Sequence, residues 1–289
     1  MKQASQLGKS TLNALIAALA ASGALSMSNA MAQAAPAAPA TPEPTPEHTF
    51  VPKISLFSEY EYRGISQTSE KPAGQLNFDY SHSSGFYAGA FLSNIKWIKD
   101  TKTVVTQGAP HGSTVDGSAG GVELDLFGGF KFELVKDVTM DIGYLRYEYV
   151  GSDEQSFTLA RVKTVALAKP NTDEVYVGLS GGPFSFKYSY STGNTFGVIN
   201  SKGSTFAEFN WAQEVMPKLT LNAQVARQTY KNNGGFTYTV YKAGGTYDIG
   251  DGWNAGAYYK TTNAVEANYT YLGKDWSKGR LVAFVSKSF

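Results

Sequence analysis

The stretch VELDLFGGFKFEL, residues 122–134, alternates with a period of two. Val122, Leu124, Leu126, Phe130, Phe132 and Leu134 fall on one side, and Glu123, Asp125, Lys131 and Glu133 fall on the other. Successive side chains of an extended chain point to opposite faces, so this spacing gives a strand with one apolar and one charged face. The question is what covers the apolar face.

The pattern recurs along the chain. QLNFDYS sets Leu76, Phe78 and Tyr80 against Gln75, Asn77, Asp79 and Ser81. PFSFKYSYS sets Phe184, Phe186, Tyr188 and Tyr190 against Ser185, Lys187 and Ser189, and KLTLNAQVA repeats the scheme. In residues 53–63, Ile54, Leu56, Tyr60 and Tyr62 oppose Lys53, Ser55, Glu59, Glu61 and Arg63. Twelve such segments are expected, near 53–63, 73–82, 86–98, 121–134, 137–149, 173–181, 184–192, 204–214, 218–229, 236–248, 252–262 and 279–289. Their connections alternate long and short, which gathers long loops at one end and tight turns at the other. That is the layout of an all-β transmembrane antiparallel up-and-down β-barrel with short periplasmic turns and long extracellular loops. Closure removes the sheet edges that twelve strands would otherwise expose.

The composition agrees. Lys2 and Lys9 are the only charges in the first 32 residues, an apolar run follows, and Ala30-Met31-Ala32 fits a small-x-small cleavage site. Residues 1–32 are expected to be a signal peptide, 33–52 an Ala/Pro/Thr-rich periplasmic tether, and 53–289 the barrel. Losing the two leader lysines turns the formal charge of +1 into −1, which leaves no cationic excess for nucleic acid. An exported chain without cysteine must draw its stability from a core or a closed sheet. The last strand, RLVAFVSKSF, ends on Phe289 with Leu281, Ala283 and Val285 on its outward face, resembling the signal read by the outer-membrane assembly machinery. Lys287 interrupts the series and can lift its ammonium to the headgroups.

Several stretches resemble one family. SEYEYRGISQTSEKPA, SSGFYAGAFLSNI, MDIGYLRYEYVG, DEVYVGLSGGPFSFKYSYST and the terminal VSKSF are similar to the TorF-family porins, proteobacterial proteins long described as a conserved domain of unknown function. The most specific part is Arg63-Gly64-Ile65-Ser66-Gln67-Thr68 with Lys71-Pro72-Ala73. The resemblance implies an outer-membrane barrel with porin-like function and supplies no catalytic residues. The segment between YEYVG and DEVYVG is longer here than in that family, which puts transfer of pore size in doubt.

The remaining chemistry is the lumen. Reading polar faces inward gives Glu59, Glu61, Asp79, Glu123, Asp125, Glu133, Asp141 and Glu208 as acids, and Lys53, Arg63, Lys131, Lys187 and Lys260 as bases. They are candidates to line a pore for small hydrophilic solutes or ions, with a weak cation preference from eight acids against five bases. They could equally be a structural salt network. Arg161 and Lys163 would face the acidic wall if residues 155–169 fold inward; an exposed hairpin is the other reading. Tyr60 and Tyr62 are expected outward, as an aromatic girdle. His48, His82 and His111 lack a second ligand at sequence spacing, so neither metal nor cofactor is expected. His82 beside Ser81 and Ser83 suggests a nucleophile–base pair only superficially, because adjacent strand residues face opposite ways. Three functions stay open: a passive channel, a non-conducting structural or adhesive barrel, and an outer-membrane hydrolase.

Overall fold

The computed structural model describes residues 46–108, 114–159 and 162–289. The expected signal peptide, most of the tether, His111 and Arg161 lie outside the described residues. Twelve strands form a closed antiparallel barrel: β1 His48–Phe57, β2 Ala73–His82, β3 Phe86–Asn94, β4 Val122–Val135, β5 Val138–Val150, β6 Thr172–Gly181, β7 Phe184–Ser191, β8 Thr205–Met216, β9 Leu219–Thr229, β10 Tyr238–Gly250, β11 Trp253–Thr262 and β12 Arg280–Ser288. Each strand pairs with its sequence neighbour, and β1 closes on β12 from Lys53↔Ser288 to Phe57↔Phe284.

Connections alternate as the sequence predicts. The β4–β5, β6–β7, β8–β9 and β10–β11 links are two residues each. Such links need left-handed backbone, found at Asp137 (φ 67°), Gly182 (φ 54°), Lys218 (φ 69°) and Asp251 (φ 50°). The long connections at the other end carry the helix α1 Trp97–Gly108 and a three-stranded sheet built from Thr114–Asp116, Gln155–Leu159 and Val162–Leu167.

Alternation sorts the side chains. Ile54 and Leu56 (β1), Phe78 (β2), Leu126 (β4), Phe184 and Phe186 (β7), Tyr259 (β11) and Leu281 (β12) are exposed on the outside. Their inward neighbours Ser55, Asn77, Asp125, Tyr258 and Val282 are buried. An apolar surface encircling a whole molecule far exceeds the patches that water-soluble monomers tolerate. Lipid is the solvent that suits it, because every backbone polar group of a closed barrel is paired within the wall. No helix among the described residues is long and apolar enough to cross a membrane, so any crossing is made by strands.

Two expected strands are wrong in their bounds: the one near 86–98 stops at Asn94, and Trp97 and Ile98 begin the helix α1. β1 starts at His48, inside the expected tether, and leaves the wall after Phe57. Glu59, Glu61 and Arg63 therefore do not lie on a wall strand. Tyr60 and Tyr62, expected to face lipid, are buried inside the barrel at 0% and 6% exposure.

Candidate functional site

An eight-stranded barrel is filled by its own side chains, and a sixteen-stranded one leaves an aqueous channel. Twelve strands fall between, and here the first long connection fills the space. Ser58 makes the last backbone hydrogen bond with the wall, its N–H donating to Ala283 O at 2.8 Å. The chain then turns inward, and Glu61–Tyr62 pairs with Ile65–Ser66 in a two-residue hairpin whose tip is Arg63-Gly64. Both tip residues have positive φ, 49° and 82°, as a type I′ turn requires.

The hairpin's foot is closed locally. Gln67 N–H donates to Tyr60 O at 2.8 Å, Tyr60 N–H donates to Thr68 Oγ1 at 3.1 Å, and Thr68 Oγ1 donates to Lys71 O at 2.6 Å. Lys96 N–H and Trp97 N–H both donate to Gln67 O, tying the hairpin to the start of α1. Ser69 donates to Asp100 on that helix.

The tip sits between two charged walls. Glu123 and Asp125 on β4 and Glu174 on β6 line one side; Lys242 on β10, Lys260 on β11 and Arg280 on β12 line the other. Lys242, Lys260 and Arg280 are direct cross-strand neighbours. The two walls are centred on β5 and β11, half a circumference apart in the strand order. The hairpin presents the opposite charge to each. Arg63 donates Nη2 to Glu174 Oε2 at 2.7 Å and Nη1 to Oε1 at 2.9 Å, with a further bond from Nη1 to Gln228 Oε1 at 2.9 Å. Its guanidinium also lies 4.2 Å from the Phe206 ring centroid. Facing the other way, Glu61 pairs with Lys242 at 2.6 Å, and Glu59 pairs with Arg280 at 3.2 Å. Lys260 donates Nζ to Gly64 O at 2.9 Å and Trp276 O at 3.1 Å. Tyr60 packs on Phe91 and donates to Glu123, while Tyr62 shares a hydrogen bond with Tyr147.

This half of the lumen is closed. Every barrel strand except β5 contributes a buried polar or charged side chain, among them Gln75, Glu123, Glu174, Ser191, Gln228, Lys242 and Lys260, and β5 buries Leu145, Tyr147 and Tyr149. Outside the strands, burial pushes the hydroxyls of Tyr230 and Tyr269 above the usual phenol range, so both stay neutral at the mouth.

Towards the tight-turn end the lumen opens. Lys53, Asp79, Lys131, Asp141 and Lys187 are partly exposed there, and Glu208 is buried beside them. Lys131 and Asp141 are cross-strand partners, as are Lys187 and Glu208, the latter pair 3.3 Å apart. Tyr87 donates to Asp141 Oδ1 at 2.6 Å and bonds Tyr176. Gly143 makes this packing possible, since a Cβ there would clash with the Tyr176 hydroxyl. Glu133 lies at the rim, exposed, accepting from Asp137 N–H at 3.1 Å.

Sequence reasoning thus found the hairpin's own partner in three ion pairs, Arg63, Glu61 and Glu59, but missed Glu174, Lys242 and Arg280, which complete them; of Lys187–Glu208 it found both. Glu59 and Glu61 are paired, and Glu174, Lys242 and Arg280 add charges that the tally of eight against five left out, so it no longer measures a preference. Lys163 is exposed and pairs with Glu154 at 2.7 Å, in the outer sheet rather than opposite the acidic wall. His82 Nδ1 lies 2.7 Å from Ser84 Oγ, not beside Ser81 or Ser83. Ser84 could have been noticed from its spacing, since a residue two positions on in a turn lies within reach.

No curated protein matches the chain. Among solved structures, similar ones are the NanC porin (9% identity, TM-score 0.48, covering 83% of this chain and 98% of that one) and the KdgM porin (7%, 0.46, 83% and 99%). The CymD monoaromatic hydrocarbon channel is similar at 12% identity and a TM-score of 0.43, covering 83% of this chain and 87% of that one. Such scores are too low to carry anything about pore or solute. A family described as "Bacterial protein of unknown function (Gcw_chp)" matches residues 41–289. That description holds no porin name, so the likeness to TorF-family porins stays a resemblance. The match spans the whole barrel, and the chain belongs to the Gcw_chp family of bacterial proteins.

Proposed function

We propose that the protein is a bacterial outer-membrane channel for small hydrophilic solutes or ions, held closed in the described state by its own first loop. The observation that carries this reading is the division of the lumen into an acidic and a basic wall with a hairpin of complementary charge between them. If the hairpin withdraws, the two walls face each other across water, and a transverse field of that kind orients polar solutes. The tight-turn half already offers solvent-reachable lysines and aspartates. The tight turns and both termini would lie in the periplasm, the outward apolar band would meet lipid, and the strand ending at Phe289 would be read by the assembly machinery.

One observation favours a second reading. The buried ring around the hairpin leaves no passage in this state, as expected of a non-conducting barrel that acts through its extracellular loops. Planar-bilayer recordings of the purified protein and of Arg63→Ala separate the two. A gated channel gives rare or small steps that become larger or more frequent in the variant. Absence of discrete steps from both proteins, over repeated insertions, would leave the non-conducting reading.

A further inference from the structure

The sequence reading saw no histidine with a companion ligand, because the register between β1 and β2 was not visible to it. In the structure His48 and His82 are direct cross-strand partners, with ring centroids 5.0 Å apart. Both lie on the outward face at the tight-turn end, in series with Phe50 and Tyr80. Glu47 joins them: its Oε1 is 3.4 Å from His82 Nε2. One ligand atom from each of the three lies within 4.8 Å of the others. Water reaches the group, with Glu47 72% and His82 27% exposed at the side chain.

The remaining ring nitrogens have partners. His48 Nδ1 lies 3.0 Å from the Tyr80 hydroxyl, and His82 Nδ1 lies 2.7 Å from Ser84 Oγ. Outer hydrogen bonds of this kind fix the orientation of a metal-binding imidazole. Ser84 N–H also donates to His82 Nδ1, at 3.1 Å, so the metal-free neutral ring carries its proton on Nε2, facing Glu47. Binding at Nε2 requires that proton to move to Nδ1, where Ser84 Oγ can accept it and the hydrogen bond from Ser84 N–H is given up.

We propose that Glu47, His48 and His82 form a binding site for a divalent transition-metal ion of the zinc class at the periplasmic rim. Two imidazoles and one carboxylate match zinc, with water as the fourth ligand, and do not match calcium or magnesium, which take oxygen ligands. The ion would fasten the start of β1 to the β2–β3 turn, at the point where the chain coming from the proline-rich segment enters the barrel.

The test uses untagged full-length mature protein in detergent, titrated calorimetrically with Zn²⁺ alone. One equivalent is expected to bind, with affinity reduced about tenfold or more in His48→Ala and in His82→Ala. Glu47→Gln should weaken it less, and His111→Ala should leave it unchanged. No stoichiometric binding by the wild type, or binding unaltered in both histidine variants, overturns the site. If a variant fails to form a heat-modifiable barrel, zinc-edge X-ray absorption of the loaded wild type decides. Imidazole scatterers at about 2.0 Å support the proposal, and an oxygen-only shell refutes it.

Discussion

Arg63 and Glu174 meet inside the barrel as a two-pronged ion pair, both residues almost wholly shielded from water. Removing the arginine leaves a buried carboxylate without its counter-charge. Breaking such a pair costs about 3–5 kcal/mol, more than the pair itself contributes relative to an apolar substitute. Arg63→Ala should therefore lower the temperature at which the protein loses its fast-migrating folded band on unheated gels. Arg63→Ala/Glu174→Ala should be less damaged than the sum of the two single changes, because the orphaned charge is gone. Strict additivity in that cycle would mean the pair is not what holds the hairpin.

Gly64 supplies a different constraint. Its φ of +82° disfavours any side chain, and a Cβ there would collide with Thr262 Cγ2 on β11. Gly64→Ala should cost about 1–3 kcal/mol of hairpin stability, read as increased single-channel leak or faster proteolysis of the first loop. Adding Thr262→Ser removes the colliding methyl and should recover only the steric share, leaving the backbone share in place. Full recovery would show that the turn conformation is not strained.

The same loop shows where sequence reading succeeds and where it stops. Period-two alternation and two-residue turns are local properties, so the twelve strands could be placed closely from residues such as Leu124 and Asp125. The hairpin alternates too, because it is itself a strand pair. Tyr60 and Tyr62 therefore resemble a girdle facing lipid, although they pack against Phe91, Tyr147 and Phe196. Nothing local distinguishes an aromatic residue facing lipid from one filling a lumen. The decision rests on contacts with residues more than eighty positions away, such as Tyr147. Register has the same property: the closeness of His48 to His82 depends on how β1 slides along β2.

Lys163 separates the two loops considered as constrictions. It is exposed and pairs with Glu154 at the surface, and surface pairs contribute about 0–1 kcal/mol. Lys163→Ala should change neither conductance nor the unfolding temperature measurably. A clear rise in conductance would return the constriction to residues 155–169.

The absence of cysteine allows the closure itself to be mapped with single introduced thiols. Lys131 is partly exposed in the open half of the lumen, whereas Asp125, on the same strand and the same face, has 0% exposure behind the hairpin. Lys131→Cys should react with a small water-soluble maleimide in the folded barrel, and Asp125→Cys should not. Combining Asp125→Cys with Arg63→Ala should make that thiol reactive, because the hairpin has lost its hold on Glu174. If Asp125→Cys alone reacts as fast as Lys131→Cys, the hairpin does not close the lumen. If it stays silent even with Arg63→Ala, the docking of the hairpin rests on the basic wall, through Glu61 and Lys242, rather than on Arg63.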